Sequence, residues 1–177
     1  RLAPGTVSAL TSESGRDVSE PVGRASVVLA LWEVMLDGHL APALHLQALQ
    51  RHLTTESESL ILQVLLDQIR SVFWRFLAPN ARPHAAGQLE PLLRKGLKHA
   101  TTTSERAAWF AAFRSIAITS EGVAWLDDLW SRRIQIDGLP LSDDDEVAIA
   151  IELCLRLPPR AGEIMTEQIG RTGNPDH

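Results

Sequence analysis

The chain has 177 residues, of which 45% are hydrophobic and 22% charged, with a formal net charge of −5. That length is enough for one domain with a real core. The acidic balance argues against the Lys/Arg excess that a nucleic-acid surface relies on, and no segment holds the roughly 18 uninterrupted apolar residues of a membrane span. Neither nucleic acid nor a membrane is expected as a partner.

The single cysteine, Cys154, rules out an intrachain disulfide framework. Its neighbours Ile151, Leu153 and Leu155 fall in a helical pattern and predict a buried structural thiol. One cysteine says nothing about redox compartment. Arg1-Leu2-Ala3-Pro4-Gly5 carries neither an initiator Met nor a basic-then-apolar signal pattern, as in an excised piece of a longer protein.

From Thr6 to Gly23 the sequence is rich in Ser, Gly, Glu and Thr without an apolar period. This predicts a flexible lead-in over residues 1–23, ahead of a helical domain over 24–177. Structure is expected from about Ala25. Val28, Leu31, Trp32 and Met35 form one stripe of an amphipathic helix, with Gly38 as its C-cap. Pro42 suits the first turn of a second helix bearing Leu46, Leu49 and Leu53, which Thr54-Thr55 breaks.

The longest element is expected from about Glu56 to Leu77. Its broad apolar face comprises Leu60, Ile61, Val64, Leu65, Ile69, Val72, Phe73 and Phe76. After Pro79-Asn80 and Pro83 a shorter helix carries Leu89, Leu93 and Leu97, with Pro91 placed in its first turn or at a kink. Ser104 can cap a helix with Ala108, Trp109, Ala112, Phe113 and Ile116 on one face. Ser120 can cap the next, with Val123, Leu126 and Trp130.

Ser142 and Asp145 have capping-box spacing, and the acids 143–145 sit at the positive end of a helix dipole. Val147, Ile151 and Leu155 continue that helix to Pro158-Pro159, and a last helix of about ten residues carries Ile164 and Ile169. Ile134-Gln135-Ile136 is too short to count as a strand. The fold class is all-α: about eight helices in stacked antiparallel hairpins, better suited to an α-solenoid than to a four-helix bundle, though no strict repeat is visible.

The candidates for chemistry dissolve on inspection. His45 and His52 with Glu56 form the one His/Glu group with metal potential. The i, i+7 pair, however, leaves about 10 Å between backbones, so both read as helix-surface histidines. None of the six histidines is followed by Glu, so His-Glu-x-x-His is absent. Asp143, Asp144, Asp145 and Glu146 are consecutive and cannot face one another across a substrate; capping accounts for them. No calcium loop, Gly-x-Ser-x-Gly elbow, phosphate loop or dinucleotide fingerprint occurs.

Trp32, Trp109 and Trp130 lie on core stripes and Trp74 adjoins one. Trp125 is off its helix's apolar face, at a place where it would line an interface. On residues alone the chain is a helical scaffold with no catalytic, cofactor-binding or metal-binding residues of its own.

The pieces also carry a resemblance. They are Ala30-Leu31-Trp32-Glu33 with Leu36-Asp37-Gly38, then Thr55-Glu56, then Trp109-Phe110 through Ile116-Ala117-Ile118-Thr119. After these come Gly122-Val123, Leu126 to Trp130, Gly138-Leu139-Pro140-Leu141-Ser142 with Asp145-Glu146, and Asn174-Pro175-Asp176. Their order and spacing resemble the C-terminal helical domain of M1 zinc aminopeptidases, the aminopeptidase N-like group, over nearly the whole ordered part.

That resemblance implies a HEAT- or armadillo-type superhelix that packs on the catalytic domain of the same polypeptide and closes the substrate chamber. Zinc belongs to the parent's catalytic domain, held by two His and a Glu, and peptides are the parent's substrates. The residues of that chemistry have no counterpart here, and the chain has no tyrosine at all. The family usually has a basic residue after Asn-Pro-Asp and further helices, so the chain is expected to be truncated partway through the domain, with an exposed apolar edge and self-association. The competing expectation is a free-standing α-solenoid that binds another protein through its concave face.

Overall fold

The computed structural model describes residues 20–172, and within them eight α-helices follow one another: α1 Pro21–Leu36, α2 Pro42–Leu53, α3 Ser59–Ser71, α4 Arg82–His99, α5 Thr103–Ile116, α6 Ser120–Trp130, α7 Asp143–Arg156 and α8 Ala161–Thr172. Among the described residues the one β contact is an isolated bridge between Ile136 and Leu139, so the fold is all-α. Most of the lead-in and Asn174-Pro175-Asp176 lie outside the described residues. The helices form two compact units, one up to Ala85 and one from Ala86.

In the first unit α1 starts at Pro21, earlier than the composition predicts, because proline's preset φ and missing N–H suit a first helical position. Val28, Leu31 and Met35 from α1 share a core with Leu46, Leu49 and Leu53 from α2 and Leu65 and Ile69 from α3. The predicted helix from Glu56 starts later, at Ser59, because the Glu56 carboxylate is used in the turn before it. It accepts from the backbone N–H groups of Ser57 and Glu58 and pairs with Arg24 through two 3.0 Å bonds.

The apolar face is also rotated from the predicted one. Ile61, Leu62, Leu65, Leu66 and Ile69 are buried, whereas Leu60 is 78% exposed and Val64 and Phe76 are half out. The doublets at 61/62 and 65/66 centre the stripe, and Leu60 lies about 100° round the helix from Ile61. Rather than running on to Leu77 as α-helix, the chain widens into a five-residue π turn over Val72–Phe76, closed by the Leu77 N–H on the Val72 carbonyl. Arg82 takes up the freed carbonyls of Phe73 and Trp74 at 3.2 and 2.8 Å and lies over the Trp74 ring.

In the second unit α4 departs most from expectation. The predicted short helix is 18 residues long and holds Pro91 in its interior. There proline removes the N–H that would reach the Gly87 carbonyl. Leu89, Leu93 and Leu97 are buried as expected. The cap of α5 is Thr102 and not Ser104, and that of α6 is Thr119 and not Ser120. In each the threonine backbone is extended, as a cap requires, and its hydroxyl accepts from the N–H three residues on.

The capping box of α7 forms as predicted, Ser142 and Asp145 satisfying each other. Its buried stripe is Glu146, Ile149, Ala150 and Leu153, while Ile151 and Leu155 are exposed; in α8 Ile164 is buried but Ile169 is not. The stripe is centred on Ile149, Ala150 and Leu153, and Glu146 at its edge is met by a fork from Arg132, both bonds 2.9 Å. The Trp130 indole donates to Gln168 Oε1 at 2.7 Å and Arg171 stacks on the Trp130 ring, which ties α8 to α6.

Candidate functional site

The sequence candidates are scattered. His45 is not on the helix surface: it is fully buried on α2, tilted against Trp32 at 5.8 Å between ring centroids, and neither ring nitrogen has a hydrogen-bond partner. Burial pushes its pKa down to about 4, against a weaker opposing influence of the Gln68 amide, which lies alongside without closing a bond of normal geometry. Glu56 is committed to Arg24. Desolvation alone would raise its pKa, but Arg24 and the two backbone N–H groups outweigh it and hold the carboxyl below its ordinary range.

Among the described residues no group of three His, Cys, Asp or Glu side chains is placed to hold a metal ion. In the acidic run the Asp145 carboxylate accepts from the N–H and hydroxyl of the N-cap Ser142 and approaches Arg114, and Glu146 meets Arg132, so these two carboxylates serve the fold. Cys154 is half-buried, not buried, and its thiol points to the Ala161 carbonyl at 3.6 Å. Trp109 and Trp130 are core residues, whereas Trp32 and Trp74 are only partly covered.

What the structure brings together instead is a cleft of about 1040 Å³ in the second unit, lined by α4, the start of α6 and the turn at Ile136–Asp137. Trp125 forms part of its wall. The ring packs edge-on against Phe113 (4.9 Å) and Phe110 (6.3 Å), and the Arg94 guanidinium sits 5.0 Å from its centroid. Arg94 is held there by a 2.9 Å bond to Glu121. Lys95 and Lys98 of α4 and Arg106 of α5 also line the cleft.

Beneath it Glu90, 4% exposed, accepts from the backbone N–H groups of Ile118 (2.8 Å) and Thr119 (2.9 Å) and from the Thr119 hydroxyl. From the other side Arg156 donates to the carbonyls of Ser115 and Ala117, both at 2.9 Å. The α5–α6 connection is thus held by a carboxylate at its N–H groups and a guanidinium at its carbonyls. Gly122 lies so close to Glu90 that a methyl group there would collide with the carboxylate.

Sequence reasoning singled out neither Glu90 nor the cations. The run Arg94-Lys95 with Lys98 was a visible signal, since these positions share one side of a helix; Trp125 was marked by its place off the apolar face of its helix, and Arg106, from another helix, gave no signal. Ser120 and His99 line the cleft too, but His99 Nδ1 donates to the Lys95 carbonyl at 2.8 Å and no hydrogen bond joins the pair. No family model matches the chain, and no curated protein matches it.

Proposed function

We propose that the chain is the non-catalytic helical domain that caps the substrate chamber of an M1-type zinc aminopeptidase, an enzyme that removes N-terminal residues from peptides. The observation that supports this most is where the residues of the resemblance fall. Ala30–Glu33, Trp109–Ile116 and Leu126–Trp130 lie within helices, and others occupy junctions of an all-α chain: Leu36-Asp37-Gly38 ends α1, and Thr55-Glu56 forms the turn before α3. Ile118-Thr119 is the connection held by Glu90, and Ser142 with Asp145 caps α7. Junction residues set the angles between successive helices, and a chamber lid depends on those angles.

On this reading the helices stack as a HEAT- or armadillo-like solenoid. The chain supplies shape and access, and zinc with its two His and one Glu belongs to the catalytic domain of the same polypeptide. The first test is the reading frame of the gene. A sequence encoding His-Glu-x-x-His and a further Glu ahead of Arg1 is required, and a frame without them removes the proposal.

A second reading, a protein-interaction module acting alone, draws on the exposed apolar residues of the last two helices. Leu155 is 68% and Ile169 63% exposed, as on a surface that another protein covers. A frame that opens with Met near Arg1, together with a specific partner retained by the wild-type protein and lost on Leu155→Ser, favours it over the first.

A further inference from the structure

We propose that the cleft beside α4 binds an organic oxyanion, a small molecule bearing a carboxylate or phosphate group. The inference is independent of the aminopeptidase reading and rests on which charges in the cleft are already spent. Glu121 is engaged by Arg94, and Glu90 has its oxygens turned to three neutral donors beneath the cleft, where it keeps its negative charge. That leaves Lys95, Lys98 and Arg106 with no carboxylate partner among the described residues, opposed by the exposed Asp137 as the one uncommitted carboxylate of the lining. Arg94, Lys95, Lys98 and Arg106 against Glu90, Glu121 and Asp137 leave the lining one net positive charge in a chain of net charge −5, and Lys95, Lys98 and Arg106 concentrate it on one wall of the cleft.

Arg106 is the anchor. It is half-buried, and its guanidinium lies against the turn at Gly138, where a Cβ would stand 2.9 Å from Nη1. Gly138 has φ +71°, so glycine both permits the turn and leaves the space that the guanidinium occupies. A guanidinium at this place offers its planar fork to a carboxylate or phosphate. The cleft is far larger than one such group, and Trp125 and Ile136 give it an apolar wall, which fits an organic body attached to the anion.

The test is calorimetric titration of the protein with two probes, citrate and pyrophosphate, followed also by tryptophan fluorescence. Saturable one-site binding that weakens with salt is expected. Loss of one charge-assisted hydrogen bond corresponds to a loss of about tenfold in affinity, expected for Arg106→Gln and for Lys98→Gln; Lys98 is exposed, so its replacement leaves the fold intact. The tighter of the two probes identifies carboxylate or phosphate as the natural group. No saturation with either probe, or unchanged affinity in Lys98→Gln and in a folded Arg106→Gln, overturns the proposal.

Discussion

Glu90→Ala is the substitution whose consequence follows most directly from the structure. It removes the acceptor of three hydrogen bonds, from the Ile118 and Thr119 N–H groups and the Thr119 hydroxyl, at a site 4% exposed. Bonds to a charged group contribute about 1.5–3 kcal/mol each, and water entering from the cleft recovers part of that. The net loss should be about 3–4 kcal/mol, a large share of the 5–15 kcal/mol typical of a domain. Glu90→Gln keeps one carbonyl acceptor and adds a donor that the Thr119 hydroxyl can receive, so about 1–2 kcal/mol is expected.

Gly122 sharpens the test, because a Cβ there collides with the Glu90 carboxylate. Gly122→Ala should destabilise the wild-type protein. In the Glu90→Ala background the collision is gone, and alanine's helix preference, worth about 0.8–1 kcal/mol, makes the same change neutral or stabilising. Urea unfolding of the four proteins gives the coupling energy, expected at about 1–2 kcal/mol. A Glu90→Ala loss below about 1 kcal/mol, or additive effects, refutes the role assigned to this carboxylate.

His45 makes stability pH-dependent. Its folded pKa of about 4 lies below the ordinary 6.5, so the fold holds it neutral and loses about 2 kcal/mol between pH 7 and pH 5 as the unfolded chain takes up the proton. Glu56, also lowered, stabilises above its ordinary 4.5 and loses its contribution only at more acid pH, so that window isolates His45. In His45→Leu, unfolding midpoints at pH 7 and 5 should nearly coincide, and a slope as steep as the wild type's rules the histidine out as the cause. Pro91→Ala restores the N–H bond to the Gly87 carbonyl inside α4 and should stabilise by about 1–2 kcal/mol; a lower thermal midpoint would mean that α4 needs its proline. Leu155→Ser with Ile169→Ser removes exposed apolar surface from α7 and α8, and sedimentation should show less self-association than in the wild type. If the wild type is monomeric at every concentration, that surface is not adhesive.

The helices were legible because apolar spacing and capping residues are local signals. Pro42, the Thr54-Thr55 break and the Ser142–Asp145 box fell where the chain placed them. Which of two apolar stripes faces inward was not local. On α7 the choice between Leu153 and Leu155 depended on which neighbouring helices pack against it, and they cover Ile149, Ala150 and Leu153. Thr119 took the cap from Ser120 because Glu90, 29 residues earlier, binds its hydroxyl and N–H. His45 read as a surface residue because a histidine on a helix gives no sign that Trp32 and Gln68 will close over it. The cleft was hidden for the same reason: its lysines are neighbours in sequence, but Arg106, Trp125 and Gly138 meet them only after folding.

The most direct measurement of the proposed function is the release of N-terminal residues from a peptide by the full-length gene product and by residues 20–172 alone. The proposal predicts turnover by the full-length protein that a chelator abolishes and zinc restores, and none by the helical segment. Zinc-independent turnover by the segment, or a full-length protein with no chelator-sensitive activity, contradicts it.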